Sequence, residues 1–161
     1  MRIMAHAAPP LALSRFAVLV EPPASPGDRR HYSDWLAPVA GCALQFHLNH
    51  VAPSALPLQI TQVEAHPHAA QVFLPVDVDR YVVTVMPGKD TPDPSGAVSV
   101  ILPGTVGLAY RPGAWHAGIT VLGRPSHFAV LMWRGAPDDD LFAEIPPLSV
   151  AAPGAMAGLA V

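Results

Sequence analysis

Proline is the residue that most restricts how this chain can fold. The 161 residues include twenty prolines, spread along the whole sequence. Proline is excluded from helix interiors and central strand positions, because it lacks a backbone N–H and its ring fixes φ, so it collects at turns and sheet edges. No apolar repeat of helical spacing extends over a useful length. The distribution therefore predicts many short strands joined by turns, with few short helices.

The segments between the prolines read as strands. Short apolar runs such as "RFAVLVEPP", "RYVVTVM" and "HFAVLMWRG" alternate with turn-rich stretches such as "PGKDTPDPSG". Several short strands with turns at near-regular spacing are typical of a β-sandwich or barrel. We expect one all-β domain over residues 15–145. A loosely ordered arm (1–14) should precede it, and a flexible tail rich in proline and alanine (146–161) should follow it.

Composition bounds the classes of function. Hydrophobic residues make up 51% of the chain and charged residues 13%, which allows a buried core, and the formal net charge is −3. The mild acidity argues against nucleic-acid binding, which needs a basic face. The single cysteine, Cys42, excludes an intramolecular disulfide and a cysteine-based zinc site. Because neither a signal peptide nor an apolar run of about 20 residues is recognisable, we expect no membrane partner and a cytoplasmic location.

The segment "LPLQITQVEAHPHAAQVF" carries the first candidate functional residues. Alternate side chains of a strand point to the same face, which places Leu58, Ile60, Gln62, Glu64 and His66 together. This face begins apolar and becomes polar, as expected for a barrel strand that runs from a core into a pocket. A polar rim on the sheet is the alternative interpretation.

Two further residues can complete a site with Glu64 and His66. Gln71 begins the next strand after a bend at Pro67, so it can return to the same pocket. His116 follows a Pro-Gly turn in "YRPGAWHAGI", at the head of a strand. One carboxylate, one amide oxygen and two imidazoles form a mixed nitrogen and oxygen set. Such a set suits a catalytic divalent metal with open positions better than a closed structural zinc.

At these motifs the sequence resembles the ureidoglycolate lyase family, a branch of the cupin superfamily. The resemblance runs from about Arg15 to Ile145 and rests on an ordered set of segments. These segments are "FHLNHVAPSALPLQI", "LPLQITQVEAHPHAAQVFLPV", "RYVVTVMPG", "PDP", "GLAYRPGAWH" and "HFAVLMWRG". The resemblance implies an all-β cupin fold, which is a double-stranded β-helix or jelly-roll barrel.

The resemblance also implies how the candidate residues are used. The cupin motifs, with substitutions, place Glu64, His66 and Gln71 as metal ligands and His116 as the ligand from the second motif. His68 falls outside this set. The implied cofactor is a divalent transition metal, with nickel among the candidates, and the implied assembly is a homodimer.

The family reaction splits ureidoglycolate into glyoxylate and urea. On this resemblance Glu64, His66 and His116 are the predicted catalytic residues, and a small carboxylate is the predicted substrate. An arginine pairs well with a carboxylate, so Arg111 is predicted to bind the carboxylate of the substrate. The predicted substrate-binding residues are Arg111, Asn49 and Tyr110.

The sequence departs from the family pattern around the site. Family members tend to carry Tyr-His before the second motif and Trp-His-His-Pro within it, where this chain has "YR" (110–111) and "WHAG" (115–118). The chain has "NH" (49–50) where an Asn-Arg pair is usual. Three interpretations stay open: a lyase acting on ureidoglycolate, a related cupin enzyme acting on another small hydroxy- or keto-acid, and a non-catalytic cupin that binds a small molecule.

Overall fold

The structure is a computed structural model that describes residues 1–152. Within this range the chain forms strands β1 Arg2–Met4, β2 Ala17–Val20, β3 Ala43–Val51, β4 Pro53–Ser54, β5 Leu58–Ala65, β6 Gln71–Pro75, β7 Arg80–Met86, β8 Val98–Pro103, β9 Gly107–Tyr110, β10 Trp115–His116, β11 Thr120–Leu122, β12 Ser126–Arg134 and β13 Leu141–Ala151. The helices of this range are three short 3₁₀ segments, Leu11–Arg15, Ser33–Leu36 and Pro94–Gly96.

The strands form two sheets. The larger sheet has eight strands in the order β1-β13-β5-β10-β7-β11-β4, with β8 paired to β7. The smaller sheet has five strands in the order β2-β9-β6-β12-β3. Pairing is antiparallel except between β1 and β13 and between β11 and β4. The arrangement confirms the all-β, cupin-type fold with few short helices that the sequence predicted.

Strand β7 shows that both faces of the larger sheet are buried. Its sequence, RYVVTVM, is rich in β-branched residues, which favour extended backbone. Tyr81, Val83 and Val85 belong to the apolar cluster between the two sheets, whereas Val82 and Met86 belong to a second cluster on the opposite face. None of these five side chains is more than 2% exposed. A strand buried on both faces reads as a continuous apolar run, as this one does.

Aromatic rings fill the interior between the sheets. Phe73 of β6 and Tyr81 of β7 both meet Phe128 of β12 edge to face, with ring centroids 5.9 and 5.2 Å apart. Phe128 is 0% exposed, and burying a side chain of this size contributes about 1.5–3 kcal/mol. Tyr110 of β9 meets Phe73 in the same way at 6.1 Å. Tyr110 therefore forms the boundary between this apolar cluster and the polar residues of the site.

Two of the prolines interrupt the strand that pairs with β5. The register between β13 and β5 shifts between Glu144 and Leu148, where Pro146 and Pro147 lie. Proline cannot donate a ladder hydrogen bond, so a bulge is expected at this point. The bulge lies opposite the middle of β5, just before the half that carries the candidate ligands.

This bulge overturns part of the predicted pattern on β5. Leu58 and Ile60 pack with Val63 in the cluster on the opposite face of the larger sheet, so residues 60 and 63 share a face. The prediction that Leu58 and Ile60 share a face with Glu64 is therefore wrong. The alternation changes phase at the bulge, and only the second half of the strand follows the predicted orientation. Gln62 is exposed.

The ends of the described chain are more ordered than the sequence suggested. In the segment predicted as a loose arm, β1 pairs with β13, and Ala5 and Leu13 are 2% and 3% exposed. Strand β13 continues to Ala151 with Leu148 fully buried, so the predicted boundary at residue 145 falls inside a strand. The remainder of the predicted tail, residues 153–161, lies outside the described residues. Within residues 1–152 no helix is long and apolar enough to span a membrane.

Candidate functional site

Glu64, His66 and His116 come together at the inner face of the larger sheet. Glu64 lies on β5, His66 follows the end of that strand, and His116 lies on the two-residue strand β10. His116 is the cross-strand partner of Glu64 and also of Val85, whose side chain belongs to the cluster between the sheets. One potential ligand atom from each of the three residues lies within 4.8 Å of the other two. Three of the four residues predicted as metal ligands therefore form a cluster.

The ring of His116 is held in one orientation. It is 1% exposed and stacks on the ring of Tyr110, with centroids 3.9 Å apart. Its Nδ1 lies 2.9 Å from the carbonyl oxygen of Ala114. A carbonyl only accepts hydrogen bonds, so Nδ1 carries the proton of the neutral ring and Nε2 keeps its lone pair. This Nε2 is buried without a well-aligned hydrogen bond, and it faces Oε1 of Glu64 at 3.3 Å.

The ring of His66 is also held in one orientation by hydrogen-bond acceptors around Nδ1. His66 is 5% exposed, and its Nδ1 lies 3.1 Å from the carbonyl oxygen of Asp139 and 2.9 Å from Oδ1 of Asp140. Because both neighbours only accept, Nδ1 carries the proton of the neutral ring. Its Nε2 is buried and makes no hydrogen bond within the described structure. Both histidines, whose ring centroids are 5.3 Å apart, therefore keep Nε2 free as a ligand atom.

The smaller sheet adds two polar groups. Gln71 at the start of β6 is the register partner of Tyr110 on β9. Oε1 of Gln71 and the hydroxyl of Tyr110 are buried and make no hydrogen bond within the described structure. Such groups are rare in native proteins, and each costs about 1–3 kcal/mol. The buried unpartnered side-chain atoms of residues 1–152 all belong to His66, Gln71, Tyr110, His116 and Asp140. The site thus concentrates polar groups that a bound ligand would satisfy.

The donor set fits a divalent transition metal. Imidazole nitrogens suit zinc, copper, iron and nickel, and a carboxylate adds a negatively charged oxygen. The side chain of Glu64 is 24% exposed, whereas that of His116 is 1% exposed. The cluster is therefore closed on the histidine side and open to solvent at the carboxylate, which leaves a path for a small molecule. These features make Glu64, His66 and His116 a candidate metal site.

Electrostatics keep Glu64 ionised and Tyr110 neutral. Burial is the largest effect on the pKa of Glu64 and raises it. The neighbouring imidazoles of His116 and then His66 favour the carboxylate and together outweigh burial, so the pKa of Glu64 falls below its ordinary value of 4.5. Burial raises the pKa of Tyr110 well above 10, and the charges of Tyr81 and Glu64 add to this effect. Near neutral pH the site therefore presents a carboxylate beside a protonated phenol.

Arg111, predicted to bind the substrate carboxylate, is directed elsewhere. Its guanidinium lies over the ring of Trp35, 4.7 Å from the centroid, and its Nε donates to the carbonyl oxygen of Ser14 at 3.1 Å. Arg111 is exposed and lines a surface cavity of about 260 Å³ together with Arg15. Among the three predicted substrate-binding residues, Tyr110 is the one whose side chain contacts the cluster.

Asn49, also predicted to bind substrate, lies toward the other end of the smaller sheet. It is opposite Phe128 on β12, and Phe128 is opposite Pro75 of β6. Gln71 begins β6 and Pro75 ends it, and four residues of extended chain span about 13 Å. Asn49 is therefore remote from the candidate metal site.

The loop between β12 and β13 contributes residues that sequence reasoning missed. Asp140 contacts His66, and a guanidinium nitrogen of Arg134 donates to Oδ2 of Asp140. Burial raises the pKa of Asp140, but Arg134 and then His66 lower it below 3.8. The neighbouring Asp138 accepts from the exposed His68, at 2.7 Å, outside the cluster. The run "PDDD" before an apolar strand was a signal, although the sequence does not tell which aspartate faces the site.

Comparison with known proteins gives the family. The family model for ureidoglycolate lyase matches residues 10–147. Curated relatives named ureidoglycolate lyase are 39% identical over 87 residues in Burkholderia cepacia (53% of this chain and 48% of the relative). The corresponding values are 35% over 79 residues in Burkholderia mallei (49% and 46%) and 33% over 94 residues in Escherichia coli (58% and 59%). The matched segments span about half the length of these relatives. Because the family model covers most of the chain, the protein belongs to the ureidoglycolate lyase family.

Proposed function

We propose that this protein is a lyase that cleaves ureidoglycolate into glyoxylate and urea. The family match over residues 10–147 and the names of the relatives support the reaction. The observation that carries the proposal is the concentration of buried unpartnered atoms on His66, Gln71, Tyr110 and His116, next to an ionised Glu64. Each such atom costs about 1–3 kcal/mol while it is unpaired, so their concentration in one place supports a site that a bound ligand completes.

The proposed cofactor is a divalent transition metal, with nickel among the candidates. Glu64, His66 and His116 would hold it, and the unpartnered Oε1 of Gln71 would supply a fourth ligand from the facing sheet. A bound metal would supply Lewis acidity, which lowers the pKa of a hydroxyl close to it. Three or four protein ligands leave positions open, as catalytic sites require.

The residues of the chain would handle the proton that the reaction moves. Ureidoglycolate carries a hydroxyl, a carboxylate and a urea nitrogen on one carbon. Cleavage turns the hydroxyl into a carbonyl, breaks the carbon–nitrogen bond and transfers one proton to the leaving nitrogen, so no further reactant is needed. Glu64 is ionised and 24% exposed, so a carboxylate oxygen can accept the hydroxyl proton and then deliver it to the urea nitrogen.

Tyr110 would orient rather than exchange protons. Its pKa lies well above 10, so the hydroxyl remains protonated during turnover. The hydroxyl is buried without a partner and can donate a hydrogen bond to an oxygen of the substrate. Its ring, stacked at 3.9 Å, also fixes the plane of His116.

Urea release from ureidoglycolate by metal-depleted protein tests this proposal. We expect chelation to abolish the activity and one of Ni²⁺, Mn²⁺, Zn²⁺ or Fe²⁺ to restore it. His116→Ala should lose both bound metal and activity. His68→Ala is the matched control, because His68 lies two residues from His66 yet is exposed and paired with Asp138. Activity that survives chelation, or equal metal in His116→Ala and wild type, contradicts the proposal.

A second candidate function is lyase or related chemistry on another small hydroxy- or keto-acid. The departures from the family pattern favour it, because the chain has "YR" (110–111) and "WHAG" (115–118) where family members tend to carry Tyr-His and Trp-His-His-Pro around the site. This candidate keeps the metal but fails the ureidoglycolate assay. A panel of two- to four-carbon hydroxy- and keto-acids, assayed with the metal-loaded protein, separates the two.

The homodimer and the cytoplasmic location implied at the sequence level stay predictions. Light scattering coupled to size-exclusion chromatography would give the mass of the assembly. A mass equal to one chain of 16.9 kDa would contradict the homodimer.

A further inference from the structure

The loop between β12 and β13 is folded around its own aspartates. The carboxylate of Asp139 accepts from the backbone N–H of Gly135 at 2.6 Å and from that of Ala136 at 3.3 Å. These bonds close the turn and aim the carbonyl oxygen of Asp139 at Nδ1 of His66, 3.1 Å away. At the end of β12, Arg134 holds the carboxylate of Asp140 by a charge-assisted hydrogen bond.

Asp140 therefore connects two elements. Its Oδ2 accepts from Arg134, and its Oδ1 lies 2.9 Å from Nδ1 of His66. The carbonyl of Asp139 is the better aligned acceptor for the N–H, so Asp140 acts on the ring mainly through its negative charge. Both contacts favour a proton on Nδ1 and a lone pair on Nε2.

We propose that Asp140, anchored by Arg134, is a positioning residue that fixes the tautomer and orientation of His66 as a metal ligand. The proposal rests on the metal-assisted function proposed above. A carboxylate behind a ligating imidazole raises the basicity of the free nitrogen and restricts ring rotation, and losing it costs about 10–100-fold in metal affinity.

Asp138 of the same loop contacts a second histidine, His68, and this exposed pair is the comparison for His66 and Asp140. His68 and Asp138 are 2.7 Å apart, but their side chains are 38% and 60% exposed. The corresponding values for His66 and Asp140 are 5% and 28%. Asp138 has no arginine anchor within the described structure, whereas Asp140 does. The same loop therefore supplies a matched control with identical charge and similar contact distance.

The test compares Asp140→Asn with Asp138→Asn. Calorimetric titration of metal-free protein with Ni²⁺ should show binding weakened about 10–100-fold in Asp140→Asn and unchanged in Asp138→Asn. Long-range ¹H–¹⁵N NMR of the metal-free proteins should show the Nδ1–H form of His66 in wild type, with the Nε2–H form gaining population in Asp140→Asn. Arg134→Gln leaves Asp140 in place but removes its anchor, and it should show the same changes to a smaller extent.

The outcomes separate this inference from the proposed function. Equal Ni²⁺ affinity and equal tautomer populations in the two aspartate variants would overturn the positioning role. If wild type binds Ni²⁺ without releasing urea, the proposed reaction fails while the affinity comparison still decides the role of Asp140. If wild type binds no metal, the NMR comparison alone decides whether Asp140 sets the tautomer. Should Asp140→Asn not fold, Arg134→Gln supplies both measurements.

Discussion

Gln71 offers the sharpest test of the hypothesis that the buried polar groups of the site gain their hydrogen-bond or metal partners only when a ligand is bound. Its side chain is 8% exposed, and its Oε1 is buried without a hydrogen bond. A side-chain carbonyl in this state lowers the stability of the metal-free protein. Replacing Gln71 by Leu removes the unpartnered oxygen while keeping a side chain of similar size. We therefore expect Gln71→Leu to stabilise the metal-free protein.

The magnitude follows from the cost of one unsatisfied group. Leaving a buried acceptor unpaired costs about 1–3 kcal/mol, so the free energy of unfolding should rise by a similar amount. For a chain of this size each kcal/mol raises Tm by about 2–4 °C. With metal bound, Gln71→Leu should no longer be more stable than wild type, because a ligand at 100 times its Kd stabilises the native state by about 2.7 kcal/mol. Gln71→Leu loses part of this gain if its oxygen is a ligand.

The assay is urea denaturation with EDTA and again with Ni²⁺. Gln45→Leu is the control, because Gln45 lies on a strand of the same sheet but is exposed, and surface changes of this kind usually stay within about 0.5 kcal/mol. Destabilisation of Gln71→Leu in EDTA would refute the reasoning, since it would show that Gln71 already has its partners. An unchanged Ni²⁺ effect would show that Gln71 is no ligand.

Three further predictions concern catalysis, the core and acid stability. Glu64→Gln should lower kcat for urea release about 100–10,000-fold at saturating metal, and a loss below tenfold would argue against Glu64 as the base. Phe128→Ala should cost about 3–5 kcal/mol in urea denaturation, because Phe128 is fully buried between two rings. Contacts with the ring and backbone N–H of His127 lower the pKa of Asp77 below 3.8. Its stabilising effect is therefore present above about pH 4 and is lost as pH falls further. The stability gap between wild type and Asp77→Asn should shrink below pH 4, and a constant gap would contradict the assignment.

The fold was predictable because its signals are local. Prolines and turn residues mark the ends of short strands. Strand β7 is recognisable from its own sequence, because RYVVTVM is a continuous apolar run rich in β-branched residues. The pairing of β5 with β13 was not predictable in the same way. The bulge at Pro146 and Pro147 changes the phase of a strand about 80 residues earlier in the chain. Strict alternation on β5 therefore misplaced Leu58 and Ile60.

The site was predictable where residues lie at strand ends that meet in the barrel. Glu64, His66 and His116 carry the chemistry of a metal site in their residue types, and the structure brings them together. The orientation of side chains in the loops beyond the strand ends depends on contacts with residues distant in sequence, which the sequence alone does not reveal. Arg111 turns to Trp35 and a backbone carbonyl. For the same reason the contact of Asp140 with His66 was not foreseen.

The bulge in β13 also bears on how such a site can evolve. It sets which side of β5 faces the barrel, although β13 contributes no ligand of the proposed metal. A single-residue deletion between Glu144 and Leu148 would require β5 and β13 to find a new register. Lineages can therefore lose or reshape the metal site through an insertion or deletion far from Glu64 and His66, while every ligand codon stays intact. The spacing around Pro146 and Pro147 is thus as informative for comparing relatives as the ligands themselves.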